Sequence, residues 1–189
     1  MDENLAYQED WGNELIGGKI VAMSPAAMNH VLISRNICNI FSKYLEGKRC
    51  VPIPDNANLY LTETDRFSPD FMIVCDRSKL KADGVHGAPD LVVEVLSRST
   101  MKRDKTSKKE VYERCGVPEY WMVSPEQKSV EVYRLDNGSY VLRDIYIRPA
   151  DWELKNMTDE EKADLITEFK CRLYDDLIIR LEDIFNDFF

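Results

Sequence analysis

The 189-residue chain lacks any stretch near the roughly 20 consecutive apolar residues of a membrane span, so no membrane partner is expected. It also lacks the basic-then-apolar start of a secretory signal. Its first fifteen residues, MDENLAYQEDWGNEL, are acidic, and the expected location is the cytoplasm. Cysteine is scarce and unpatterned: Cys38, Cys50, Cys75, Cys115 and Cys171 are odd in number, widely spaced and contain no C-x-x-C pair. Neither a disulfide framework nor a zinc site is indicated. Cys115 beside a helix end is a candidate nucleophile in position only, because no Cys-His spacing accompanies it. Internal repeats and low-complexity tracts are absent too.

A surplus of basic charge is missing as well, the formal net charge being −9, which ordinarily argues against a nucleic-acid partner. The distribution qualifies this. Residues 150–189 hold 12 Asp+Glu and 5 Lys+Arg, leaving 22 acids against 20 bases in residues 1–149. The acidity belongs mostly to the C-terminal segment, and MKRDKTSKKEVYER, residues 101–114, is locally basic with six bases and three acids. Hydrophobic residues at 44% and charged residues at 31% are the balance of a folded chain, and the length suits one domain, 1–189.

NELIGGKIVAM reads as two strands joined by Gly17 and Gly18, a turn that needs positive φ. Ser24-Pro25 predicts a helix start, and Ile33, Ile37, Ile40, Phe41, Tyr44 and Leu45 recur at helical spacing up to Gly47. NLYLT, PDFMIVC and LVVEVLS read as strands. A helix over about 101–115 follows, stopped by Gly116-Val117-Pro118. EYWMVS, SVEVYRL and SYVLRDIYI are further strands, 158–170 a charged helix, and LIIRLEDIF a last strand or amphipathic segment. Tyr120, Trp121 and Tyr133 read as core. The order predicts an α/β (α+β) fold, a mixed central sheet flanked by helices.

One residue in this pattern needs a partner. Side chains alternate along a strand, so Val92, Glu94 and Leu96 share one face of LVVEVLS, and Leu91, Val93 and Val95 the other. Both faces are apolar apart from Glu94. A buried, ionised carboxylate costs several kcal/mol or more, to order of magnitude, unless paired or bound to a cation. Asp70 opens the apolar run PDFMIVC after a proline that suits a strand's first residue. If the two strands are neighbours, the acids meet, and a hard ion such as Mg²⁺ would relieve their repulsion. On the helix that follows, Lys108 lies one turn before Val111 and Tyr112, with Asp104 a turn earlier, so both face inward. Lys102, Lys105 and Lys109 project elsewhere, toward phosphates or only water.

SPDFMIVC, APDLVVEVLSRST, RDKTSKKEVYERCGVPEYWMVSP and ELIGGKIVAMSPAAMNH together resemble the Uma-two family of restriction-endonuclease-like proteins, a branch of the PD-(D/E)XK nuclease superfamily. The resemblance spans about residues 11–150, and LEDIF is similar to the family's C-terminal end. It implies a Mg²⁺- (or Mn²⁺-) dependent endonuclease acting on DNA, with Asp70 and Glu94 as metal ligands and the Val95 carbonyl as a further one. Leu96 occupies the place of the usual E-x-K lysine. The family is similar in carrying its lysine on the next helix, in D-x-x-x-K-x-x-x-Y, here Asp104, Lys108 and Tyr112. Glu14 matches an N-terminal family acid that completes the site or helps to bind a second metal, and His30 a histidine at the start of the first helix. The resemblance leaves oligomeric state open and allows a homodimer, since nucleases of this superfamily often pair to cut two strands.

Plainer readings stand beside these. Asp104 and Lys108 at i, i+4 also make an ordinary helical ion pair of about 0.2–0.5 kcal/mol. Glu14 flanking a hairpin is often only solvated, His30 often only caps its helix, and the basic run often only faces water. Two other functions fit the sequence: a catalytically silent nucleic-acid or metal-binding module of the same fold, supported by Leu96, and an interaction domain acting through the acidic C-terminal segment.

Overall fold

Five consecutive residues, Leu91–Val95, form a strand buried at every position. The computed structural model, which describes residues 12–97 and 101–187, builds the rest of the protein around that strand. The acidic N-terminal stretch and Arg98, Ser99 and Thr100 lie outside the described residues.

In chain order the strands are β1 (Asn13–Ile16), β2 (Lys19–Ala22), β3 (Val51–Pro54), β4 (Leu59–Tyr60), β5 (Arg66–Phe67), β6 (Phe71–Val74), β7 (Leu80–Lys81), β8 (Gly84–His86) and β9 (Leu91–Val95). There follow β10 (Glu119–Ser124), β11 (Ser129–Asp136), β12 (Ser139–Ile147), β13 (Glu168–Lys170) and β14 (Ile178–Arg180). The helices are α1 (Met28–Leu45), α2 (Met101–Arg103), α3 (Lys109–Arg114), α4 (Asp151–Asn156), α5 (Asp159–Ala163) and α6 (Leu181–Ile184), with a π turn, Asp104–Lys108, between α2 and α3.

The main sheet has the order β12-β11-β10-β9-β6-β3, antiparallel except for the parallel pair β9–β10. A second sheet runs β2-β1-β5-β4-β8-β7, and β13 pairs with β14. This is the mixed α/β architecture that the sequence predicts. Because β9 is central, its two faces feed two cores. Leu91, Val93 and Val95 join Phe41 and Ile37 of α1, Trp121, and Phe169, Ile179 and Leu181 of the C-terminal segment. Val92 and Leu96 join Phe67, Val111, Tyr112 and Tyr120. The Gly17–Gly18 turn adopts φ of 55° and 77°, left-handed backbone that side chains with a Cβ rarely take, and so closes the β1–β2 hairpin as expected.

Several expectations need correction. The first long helix starts at Met28 and not at Ser24-Pro25, because Ala27, in extended backbone, is its N-cap. The charged helix predicted over 158–170 closes after Ala163, and Glu168–Lys170 is a strand whose Phe169 enters the core. Tyr133 is only half-buried. Cys50 and Cys75 form a disulfide that the spacing did not suggest. The cause is tertiary: β3 and β6 run antiparallel with Val51 opposite Val74, which sets Cys50 and Cys75, 25 residues apart, across from each other. The C-terminal LIIRLEDIF is both strand and helix, and Ile179, Leu181, Ile184 and Phe185 are all buried in the first core. The apolar side of that segment is therefore already covered by the chain itself.

Candidate active site

Alternation along β9 turns Glu94 toward the second core, where its residue is 3% exposed. Lys108 Nζ lies 3.0 Å from Glu94 Oε1, and the Tyr112 hydroxyl donates to the same oxygen at 2.7 Å. Lys108 and Tyr112 are one turn apart, so a single helix face delivers both donors. The ammonium is itself enclosed. Glu14 Oε1 lies 2.8 Å and Asp104 Oδ1 3.4 Å from it, and Lys108 is 3% exposed.

Glu14 arrives from β1, and the Ser68 N–H donates to its Oε1 at 3.2 Å. Asp70 precedes β6. Phe71 pairs with Val93, so extending that antiparallel register by one residue sets Asp70 beside Glu94. The Val95 N–H donates to Asp70 Oδ2 at 2.6 Å, and His30 Nε2, in the first turn of α1, lies 3.2 Å from Asp70 Oδ1. The Tyr120 hydroxyl donates to the Asp104 carbonyl at 3.2 Å, bracing the π turn. Glu14, His30, Asp70, Glu94, Val95 and Lys108 all line one open cleft of about 940 Å³.

The charges in this cluster are unbalanced. Burial raises the Glu94 pKa well above the usual carboxylate range, and Asp104, Asp70 and Glu14 push the same way, outweighing Lys108. Burial by itself would lower Lys108, yet Glu94, Glu14 and Asp104 raise it above the ordinary lysine range, so it remains an ammonium at neutral pH. Burial would also lower His30, but its contact with Asp70 and the fields of Asp55 and Asp104 raise it. Tyr112 is driven up by burial and by Glu94, and serves as a neutral hydrogen-bond donor.

Sequence reasoning thus brings together Asp70, Glu94, Lys108, Glu14, His30, Asp104 and Val95, the last through its backbone. The lysines proposed to meet phosphates are placed elsewhere. Lys105 Nζ pairs with Glu131 at 2.7 Å, Lys109 Nζ lies 3.9 Å from the centre of the Tyr133 ring, and neither these nor the exposed Lys102 line the cleft. The charge run that suggested them carries no apolar marker of which side each lysine takes. Cys115 is also outside the cleft, and burial pushes its thiol up, away from a nucleophilic thiolate. Ser68 was not foreseen, because its contribution is a main-chain N–H with no side-chain signature. Arg103, a further residue of the cleft lining, was not foreseen either.

The profile of the Uma2 family, described as "Putative restriction endonuclease", matches residues 1–161. A protein of Synechocystis sp. (strain ATCC 27184 / PCC 6803 / Kazusa), described as "Uncharacterized protein slr1290", is 29% identical over 133 residues, 69% of this chain and 70% of that protein. The crystal structure of a protein from Anabaena variabilis ATCC 29413, described as "a putative nuclease belonging to DUF820", superimposes with a TM-score of 0.63 at 16% identity. The superposition covers 92% of this chain and 89% of that one, a likeness of fold.

Proposed function

Since the chain belongs to the Uma2 family, we propose that it is a metal-dependent endonuclease that hydrolyses phosphodiester bonds in DNA. The observation that carries this reading is Glu94 and Glu14 on one buried ammonium, with Asp70 beside Glu94, at an open cleft. Among the described residues acids outnumber bases there, the donors are hard oxygens, and the cleft is open. That donor set fits Mg²⁺ or Mn²⁺, held by Asp70 and Glu94 with the Val95 carbonyl, and with Glu14 at hand. Among the described residues no group of three or more His, Cys, Asp or Glu is already arranged to hold a metal ion. An ion of this kind takes one or two carboxylates and keeps several waters.

When bound, the ion would polarise the phosphate and lower the pKa of a bound water. The chain's own residues do the rest. His30 and the Val95 N–H fix both oxygens of Asp70, so its carboxylate plane is set before substrate arrives. Lys108 stays protonated and therefore acts as a donor and a positive charge, not as a base. Its three N–H donors match its three carboxylate neighbours, so to orient an incoming water it must release one of them. The longest contact, 3.4 Å to Asp104, is the one to yield.

Cleavage of supercoiled, linear and single-stranded DNA, with RNA alongside, in Mg²⁺ or Mn²⁺ tests the reading. Wild type is expected to cut, and EDTA, Glu94→Gln and Asp70→Asn each to abolish cutting in folded protein. Wild-type rates in both variants sink the assignment. A wild type that binds nucleic acid but cuts nothing favours the silent module.

A further inference from the structure

A polyanion entering this cleft meets the carboxylates of Glu14, Asp55, Asp70, Glu94 and Glu126. Among the described residues three cationic side chains also line it: His30, Lys108 and Arg103. Two of them are already engaged, His30 with Asp70 and Lys108 with three acids. Arg103 differs. Its Nε is buried and without a hydrogen-bond partner, and among the described residues it forms no ion pair.

The backbone explains how Arg103 comes to the cleft. Residues five apart lie about 140° apart around an α-helix of 3.6 residues per turn. The π turn Asp104–Lys108, which begins just after Arg103, closes its bonds over i→i+5 and brings residues so spaced back toward one side. Arg103 and Lys108 thus line the same cleft. π turns inside helices occur frequently at functional sites.

A partly exposed guanidinium lining an open cavity, with no protein partner on its buried Nε, is suited to receive an oxyanion there through two parallel N–H···O bonds from its terminal nitrogens. We infer that Arg103 is a substrate-positioning residue that grips a phosphate group of the nucleic-acid strand. The inference rests on the nuclease reading for its ligand, but an Arg103-dependent phosphate site can be measured apart from cleavage.

Two probes separate them: inorganic phosphate, followed by calorimetry, and a short DNA duplex, titrated in the Asp70→Asn background with Mg²⁺ so that nothing is cut. Arg103→Gln is expected to weaken both by about tenfold, and to lower the slope of log affinity against log salt by about one, the loss of one phosphate contact. Arg103→Lys keeps the charge without the fork, so its salt slope should match the arginine's while its affinity stays below. A merely structural arginine would lower the melting temperature and leave the slope alone. If Arg103→Gln folds and leaves both affinities and the slope unchanged, or if neither probe binds, the inference is overturned, even for a protein that cuts DNA. If no nucleic acid is cut and phosphate binding still depends on Arg103, the site stands and the nuclease reading falls.

Discussion

Glu119 on one face of the main sheet and Glu94 on the other are buried alike, at 1% and 3% exposed, and their surroundings differ in kind. Glu119 accepts from the Trp121 indole at 2.8 Å, from Arg134 Nε at 3.0 Å and from the Arg172 N–H at 2.9 Å. Those donors are one charge and two neutral groups, so the acid and its single cation balance. Their geometry ties β10 to β11 and to the C-terminal segment. Glu94 instead shares one ammonium with Glu14 and Asp104, beside Asp70 and at the wall of a cleft. Burial alone does not tell the two carboxylates apart. The charge left over, and the opening onto solvent, do.

The sharpest way to test this contrast is Lys108→Met. It strands three buried carboxylates, and removing one partner of a buried pair costs about 3–5 kcal/mol. Urea unfolding should show a loss of that order. Cleavage per folded molecule should also fall, on the order of a hundredfold or more for a lost charge-stabilising donor. Glu94→Gln leaves the ammonium with two acids, so stability should stay within about 1 kcal/mol of wild type while activity vanishes. A large stability loss in Glu94→Gln would place Glu94 in the same class as Glu119.

Glu119→Leu probes the other face and has the next largest effect. Arg134 is partly exposed and recovers water, but the Trp121 and Arg172 N–H groups lose their acceptor, at about 1–3 kcal/mol for each donor left buried. The melting temperature should drop and cleavage per folded molecule should not. Loss of cleavage at an unchanged melting temperature would break the comparison.

The two glutamates also differ in how far the sequence betrays them. Glu94 interrupts an apolar run, and its alternation, the neighbouring PD and the inward Lys108 were all legible. Glu119 follows Pro118 at the start of EYWMVS, where an acid reads as an exposed strand end. Its partner Arg172 lies 53 residues away, in a segment that looks like an acidic tail. The π turn hid for a related reason. RDKTSKK contains no apolar residue, so no periodicity distinguishes an i→i+5 turn from ordinary helix, and Arg103 was lost with it. The Cys50–Cys75 pairing and the burial of Phe169 and Ile179 depend on sheet register, which local spacing does not encode.

The smallest effect concerns how Glu14 is supplied to the ammonium. Asp65 Oδ1 accepts from the Gly17 N–H at 2.8 Å, and Oδ2 from Thr62 at 2.8 Å and Arg114 at 3.1 Å, so this buried carboxylate clamps the turn of the hairpin that carries Glu14. Burial opposes its ionisation, but the bonds from Gly17, Thr62 and Thr64 prevail and lower its pKa. With the folded value below the unfolded one, the unfolded chain binds more protons as the solution is acidified. Asp65 therefore stabilises the fold fully above the ordinary aspartate value of about 3.9, and the contribution is lost as pH falls through the lower folded value. Asp65→Asn should be less stable than wild type at neutral pH by about 1–3 kcal/mol, the loss of a hydrogen-bonded charge. The gap should narrow below about pH 4. Urea unfolding of both proteins across that range checks it. A gap that ignores pH would mean that the shape of the side chain, and not its charge, holds the hairpin over Lys108.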